Sequence, residues 1–272
     1  MSDYPGFNEL NHIILQVPLP TDTLWLECTN TLVPFGFAHN GISGHDAIEV
    51  SENGGRFCKV KDYPDSLNMD NNKSFIVLYS DGSAKVTSKK EYKVKEYNYN
   101  FIRLKPAEQT DRMRKLIELP NATVEKLFVK EDKSVLPSLT VDYEWTTYSY
   151  GNKSGNRLFI PVNPLRKVYS QFQKTNRTND IDISSGFYNI DSLYVVIPEG
   201  FEIESLPPEN IEESPYGNFK SQIITDENGF LIIQSFYLQS GYYKVEEYDS
   251  IRKFFEKINS GYNGKIALRK MN

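Results

Sequence analysis

His12 and Glu27 lie fifteen positions apart (27 − 12), in the stretches "NHIILQVP" and "TLWLECT". Each stretch is short, apolar and strand-like, and Pro18, Pro20 and Asp22 punctuate the gap between them, so the sequence predicts two antiparallel strands, His12–Val17 and Thr23–Cys28. A carboxylate beside a histidine fixes the imidazole tautomer and stabilises the imidazolium, which is what the third member of a nucleophile–base–acid triad does. If the turn spans Pro18–Thr21, paired residue numbers sum to 39 and His12 faces Glu27 directly. Any odd sum keeps the two side chains on one face, and any even sum separates them. Trp25 shares the face of Glu27. The bland reading of the same residues is a strand histidine paired with a glutamate for structure alone.

A base and an acid need a nucleophile. Of the two cysteines, Cys28 follows Glu27 directly on a strand and so points to the opposite face. Cys58 falls in a later strand-like segment, "RFCKV", and no cysteine precedes His12. Neither thiol is expected to form the thiolate–imidazolium pair that covalent catalysis needs. Their spacing matches no zinc or redox motif; a disulfide in an oxidising compartment and two separate thiols both stay open.

The remaining polar clusters read as surface or scaffold. His39, His45 and Asp46 in "FAHNGISGHDAI" have metal-ligating side chains, but glycines separate them and a solvated loop is the simpler reading. Asp180 and Asp182 in "NDIDIS" lack the glycine and distal glutamate of a calcium loop. Lysines interleave with aromatics in "KKEYKVKEYNYNF", as on an amphipathic strand with a wet lysine face. No metal and no cofactor is expected. Asn72, Asn121, Asn152 and Asn176 head N-x-S/T triplets.

The elements that would position these groups are mostly strands. "SFIVLYSDGSAKVTSKKEYKV" reads as a hairpin turning at Asp81-Gly82, and the tail carries a second hairpin at Asn228-Gly229. Alternation changes parity around Glu96, which predicts a bulge or bend there, with Tyr97, Tyr99 and Phe101 continuing out of phase. Strands are also predicted at Ala122–Val129, Leu139–Tyr150, Arg157–Pro161, "SLYVVIP" and "GKIALRK". Two helices are expected: 106–119, with Pro106 in its first turn, and 245–261, with Tyr248, Ile251, Phe255 and Ile258 on one face and Gly261 as C-cap. "YPDSLNMDNN" (63–72) reads as a linker. The fold expected is mainly β: an antiparallel β-sandwich-like body with two short helices, preceded by a partial β unit. Its boundaries are 1–60, 73–165 and 166–272.

Composition sets outer limits. Hydrophobic residues make up 39% of the 272 and charged residues 25%, enough apolar side chain for a packed core. The net charge of −5 excludes a general nucleic-acid binder, which needs a basic excess to displace counterions. No apolar run reaches 18 residues, so no transmembrane helix is expected. "MSDYPGFNEL" has neither a basic region nor an apolar run and is not a signal peptide.

"FNELNHIILQVPLPTDTLWLECTNTLVPFG" resembles the histidine-and-aspartate half of a bacterial transglutaminase-like domain. That resemblance implies a papain-like Cys–His–Asp triad, with His12 at the family histidine and Glu27, a departure, at the aspartate. "RLFIPVNP" (157–164) and the tail from "GFYNIDSLYVVIP" to "GKIALRK" resemble the C-terminal β-domain of unknown function that follows such cores in large exported multidomain proteins. It implies a periplasmic or cell-surface setting and a bacterial source. The function expected is that of a non-catalytic accessory or binding module with a relic His12–Glu27 pair and no nucleophile. The alternative is part of a cysteine-dependent transglutaminase-like or peptidase-like enzyme acting on amide bonds. A protein or glycan partner is expected, with self-association through the N-terminal unit.

Overall fold

The computed structural model describes residues 12–166, 169, 172 and 177–271. Its body is an eight-stranded sheet in the order β14-β15-β16-β12-β5-β6-β8-β7. The strands are β5 (Met69–Leu78), β6 (Ala84–Lys93), β7 (Thr123–Asp132), β8 (Ser138–Thr147), β12 (Phe187–Val196), β14 (Asn210–Ser214), β15 (Gly217–Thr225) and β16 (Gly229–Leu238). A four-stranded sheet, β13-β18-β10-β9, joins the same core. It is built from β9 (Asn152–Ser154), β10 (Arg157–Pro161), β13 (Phe201–Ser205) and β18 (Lys265–Lys270). Helix α3 (Tyr248–Tyr262) packs with the opposite end of the large sheet, burying Ile251, Phe254, Phe255 and Ile258 with Phe219 and Phe236. Among the described residues, three two-stranded antiparallel sheets complete the fold: β1 (Leu15–Pro18) with β2 (Thr23–Leu26), β3 (Asp46–Ser51) with β4 (Gly54–Lys59), and β11 (Ile181–Ile183) with β17 (Gly241–Tyr243). The protein is mainly β, as expected.

One pairing departs from the antiparallel expectation. β12 runs parallel to β5, with Asp191 opposite Asn72 and Val195 opposite Ile76. The large sheet therefore takes strands from both sides of residue 165, and one apolar cluster contains Ile76, Trp145, Leu193 and Phe230 together.

A transverse row of polar residues explains much of the sheet. Ser221, Gln234, Asp191, Asn72 and Lys90 are consecutive partners across five strands, and all five are buried. Buried polar groups are tolerated only when hydrogen-bonded. Gln234 Nε2 donates to Ser221 Oγ at 2.9 Å, and Asn163 Nδ2 donates to Gln234 Oε1 at 2.9 Å. Arg166 pairs with Asp191 and with Asp70, and Lys90 Nζ lies 2.6 Å from Asp70 Oδ1. The row separates the two apolar clusters: on β16, Ile232 belongs to one and Phe236 to the other, with Gln234 between them. This is why 63–72 is not a linker. Its polar residues lack amphipathic periodicity because Asn68 and Asn72 are themselves core, buried and bonded, and β5 already begins at Met69.

Other expectations shift locally. At Glu96 the chain bends, but the strand does not resume. β6 ends at Lys93, Val94 takes φ +52°, and a 3-10 turn leads into α1 (Tyr99–Arg103). Asn98 caps α1, its side chain accepting from Phe101 N at 3.2 Å. A left-handed valine costs roughly 1–2 kcal/mol; its burial and its N–H bond to Pro137 O, 3.0 Å, offset that cost. The next helix, α2 (Pro106–Arg114), ends five residues before 119. Gly261 lies inside α3 rather than capping it, and it is packing that asks for glycine there, since a Cβ would strike Phe219.

Candidate active site

The β1–β2 hairpin carries the first two site residues. Leu15 pairs with Leu26 and Pro18 with Thr23, so paired numbers sum to 41, not 39. Proline decides the register. Leu19 N donates to Asp22 O at 2.8 Å, so the loop is Pro20-Thr21, with Pro20 at the turn position that suits its fixed φ. Pro18 then falls in the adjacent non-hydrogen-bonded pair, where its missing N–H costs nothing. The sum is still odd, so the parity argument stands, but the ladder stops short of both His12 and Glu27. Extended beyond its ends, the register makes them diagonal neighbours, a separation that the longer glutamate side chain suits.

They meet. His12 Nε2 lies 2.6 Å from Glu27 Oε2. The Glu27 side chain is 2% exposed and that of His12 34%. The other carboxylate oxygen, Oε1, accepts from Thr29 N at 2.7 Å and from Thr29 Oγ1 at 2.5 Å. Burial pushes the Glu27 carboxyl pKa up, but the Thr29 and His12 hydrogen bonds outweigh it and hold the value at about 2. With Nε2 engaged by the carboxylate, the Nδ1 atom of His12 is the nitrogen left to accept a proton.

His39, expected in a solvated loop, joins the same carboxylate. Its Nε2 lies 3.4 Å from the same Glu27 Oε2, and its ring packs edge-on against Tyr99, centroids 6.0 Å apart. The loop that carries it is anchored rather than solvated. Phe37, Ala38 and Ile42 are buried, and Ala38 N donates to Tyr63 OH at 3.0 Å. The available signal was the apolar run "PFGFA" just before His39, which marks a packed loop. His45 and Asp46 are exposed, and no cluster of three or more His, Cys, Asp or Glu is arranged to hold a metal ion among the described residues.

Both cysteines are free. Cys28 Sγ is 3.7 Å from Leu26 O and Cys58 Sγ 3.7 Å from Ala47 O; neither contact involves His12. On the hairpin and the loop that follows it, Ile13 is 86% exposed, and Leu15, Leu19 and Phe35 are exposed as well. On its inner side the hairpin is covered from within the chain, since Trp25 belongs to the same core as Tyr63, Tyr97 and Phe101.

Comparison with known proteins adds one family. Residues 156–268 match the family described as a domain of unknown function with solved structure (DUF3858), a stretch running from β10 to β18. This corresponds to the C-terminal β-domain of unknown function that the sequence resembles. No curated protein matches the chain. Among solved structures, a "putative protease" from Parabacteroides distasonis aligns at 7% identity, covering 75% of this chain and 99% of that one, with a TM-score of 0.33. Among the described residues no helix is long and apolar enough to cross a membrane.

Proposed function

We propose that this chain supplies the base and the carboxylate of a cysteine-type acyl-transfer or amide-hydrolysing site of the transglutaminase-like class. It does not supply the thiol. The observation that carries this is the 2.6 Å contact of His12 Nε2 with a buried, ionised Glu27, which leaves Nδ1 as the proton acceptor. The contacts of Cys28 and Cys58 support the second half, since a nucleophile must lie within hydrogen-bond reach of its base. On the same reading the sheet-rich body is an accessory module in an exported protein, docking a protein or glycan. The stack of exposed Phe75 on half-buried Tyr194, centroids 5.6 Å apart, supports that role.

The test is an acyl-transfer assay with a glutamine-peptide donor and a fluorescent primary amine. The 272-residue chain is expected to show no turnover. The same chain, fused behind the cysteine-bearing helix of a transglutaminase-like domain, is expected to show turnover that iodoacetamide abolishes and that His12→Ala and Glu27→Ala each reduce by at least about a hundredfold. Iodoacetamide-sensitive turnover by the 272-residue chain, or activity that survives His12→Ala, would overturn the proposal.

A further inference from the structure

Glu27 has three rotatable bonds, and a carboxylate that orients a base must not wander. Thr29 fixes one of its oxygens twice. The other oxygen receives two imidazoles, His12 at 2.6 Å and His39 at 3.4 Å. Only the first belongs to a recognisable base–acid pair.

The protonation of His39 is set by its own loop. Gly41 N donates to His39 Nδ1 at 3.0 Å, so Nδ1 is an acceptor and the ring proton of the neutral form sits on Nε2. That is the atom aimed at Glu27. Residue 41 must be small for this to hold: a Cβ there would lie 2.8 Å from His39 Cε1 and 3.1 Å from Nδ1. On its other side the ring meets Tyr99. His39 is therefore held on two sides as an Nε2–H donor.

We propose that His39 is a positioning residue for the His12–Glu27 pair. It donates to Glu27 Oε2 and closes the side of the carboxylate that Thr29 leaves open, so that the longer glutamate side chain keeps the His12 ring in the Nε2–H form with Nδ1 outward. The inference takes the base role of His12 from the proposed function, but the geometry it predicts is independent of turnover.

The experiment is long-range 15N–1H NMR of the histidine rings at neutral pH, in the 272-residue chain and in three variants. In the unaltered protein both His12 and His39 are expected as Nε2–H tautomers. His39→Phe keeps a ring against Tyr99 and removes the donor; the His12 Nε2 proton is then expected to exchange with solvent at least about tenfold faster. Gly41→Ala should act in the same direction by displacing the His39 ring. His39→Gln, whose amide nitrogen reaches about as far as Nε2, should restore exchange to within about threefold of the unaltered protein. A His39 ring found as the Nδ1–H tautomer overturns the proposal without any variant. Unchanged His12 exchange in a folded His39→Phe protein also overturns it. Failure of the acyl-transfer assay with these NMR outcomes intact would count against the proposed function alone.

Discussion

Arg166 and Asp191 form a two-pronged ion pair over the buried polar row, Nε to Oδ2 at 2.8 Å and Nη2 to Oδ1 at 3.0 Å. The Arg166 side chain is 8% exposed and that of Asp191 2%. Arg166 also meets the Asp70 carboxylate at 3.0 Å, and Asp70 in turn holds the buried Lys90. Two cations and two carboxylates thus balance where β12 runs parallel to β5. Balance, not the mere presence of charge, is what lets them stay buried.

Removing one member should therefore cost far more than removing an exposed pair. Asp191→Ala is expected to destabilise by about 3–5 kcal/mol, because Arg166 stays buried with one carboxylate too few. Glu212→Ala, which breaks a surface contact with Lys257, should cost about 1 kcal/mol or less. Urea midpoints of the two variants check the ranking; equal losses would mean that the Asp191 network is solvated and dispensable.

Glu27 should leave a signature in acid. Its folded pKa is lowered from 4.5 to about 2, so its contribution is present above pH 4.5 and is lost as pH falls through about 2. The shift sets an upper bound of roughly 3 kcal/mol. The unaltered protein is expected to lose more stability between pH 5 and pH 2 than Glu27→Gln does. Denaturant titrations across that window measure the difference, and a 13C-detected carboxyl titration reads the pKa directly. A Glu27 carboxyl that titrates near 4.5 would contradict the geometry.

Gly261→Ala tests packing against propensity. Alanine is the better helix former by about 1 kcal/mol. At this position, however, its Cβ would press on the Phe219 ring and lie 3.0 Å from Asn210 Nδ2. The expected result is a lower thermal midpoint, not a higher one. A rise would show that β14 and β15 yield easily to α3.

The sequence by itself determined the elements whose signals are local. The hairpin at Asp81-Gly82, the strand Arg157–Pro161 and the amphipathic α3 follow from turn chemistry and periodicity, which neighbouring residues supply. It also determined that His12 and Glu27 share a face, because an odd register needs only a two-strand count. The register itself, 41 and not 39, depended on which proline takes the turn, which is a choice between two local solutions. Tertiary structure alone decided three things. It made a polar stretch into core, since Asn68 bonds Gly186 O more than a hundred residues away and Asn72 sits between Asp191 and Lys90 on the neighbouring strands. It laid β12 parallel to β5, which no hairpin rule can foresee. And it brought His39 onto Glu27, because the loop is steered by the burial of Phe37 and by the Tyr63 hydroxyl, contacts that no spacing along the chain encodes.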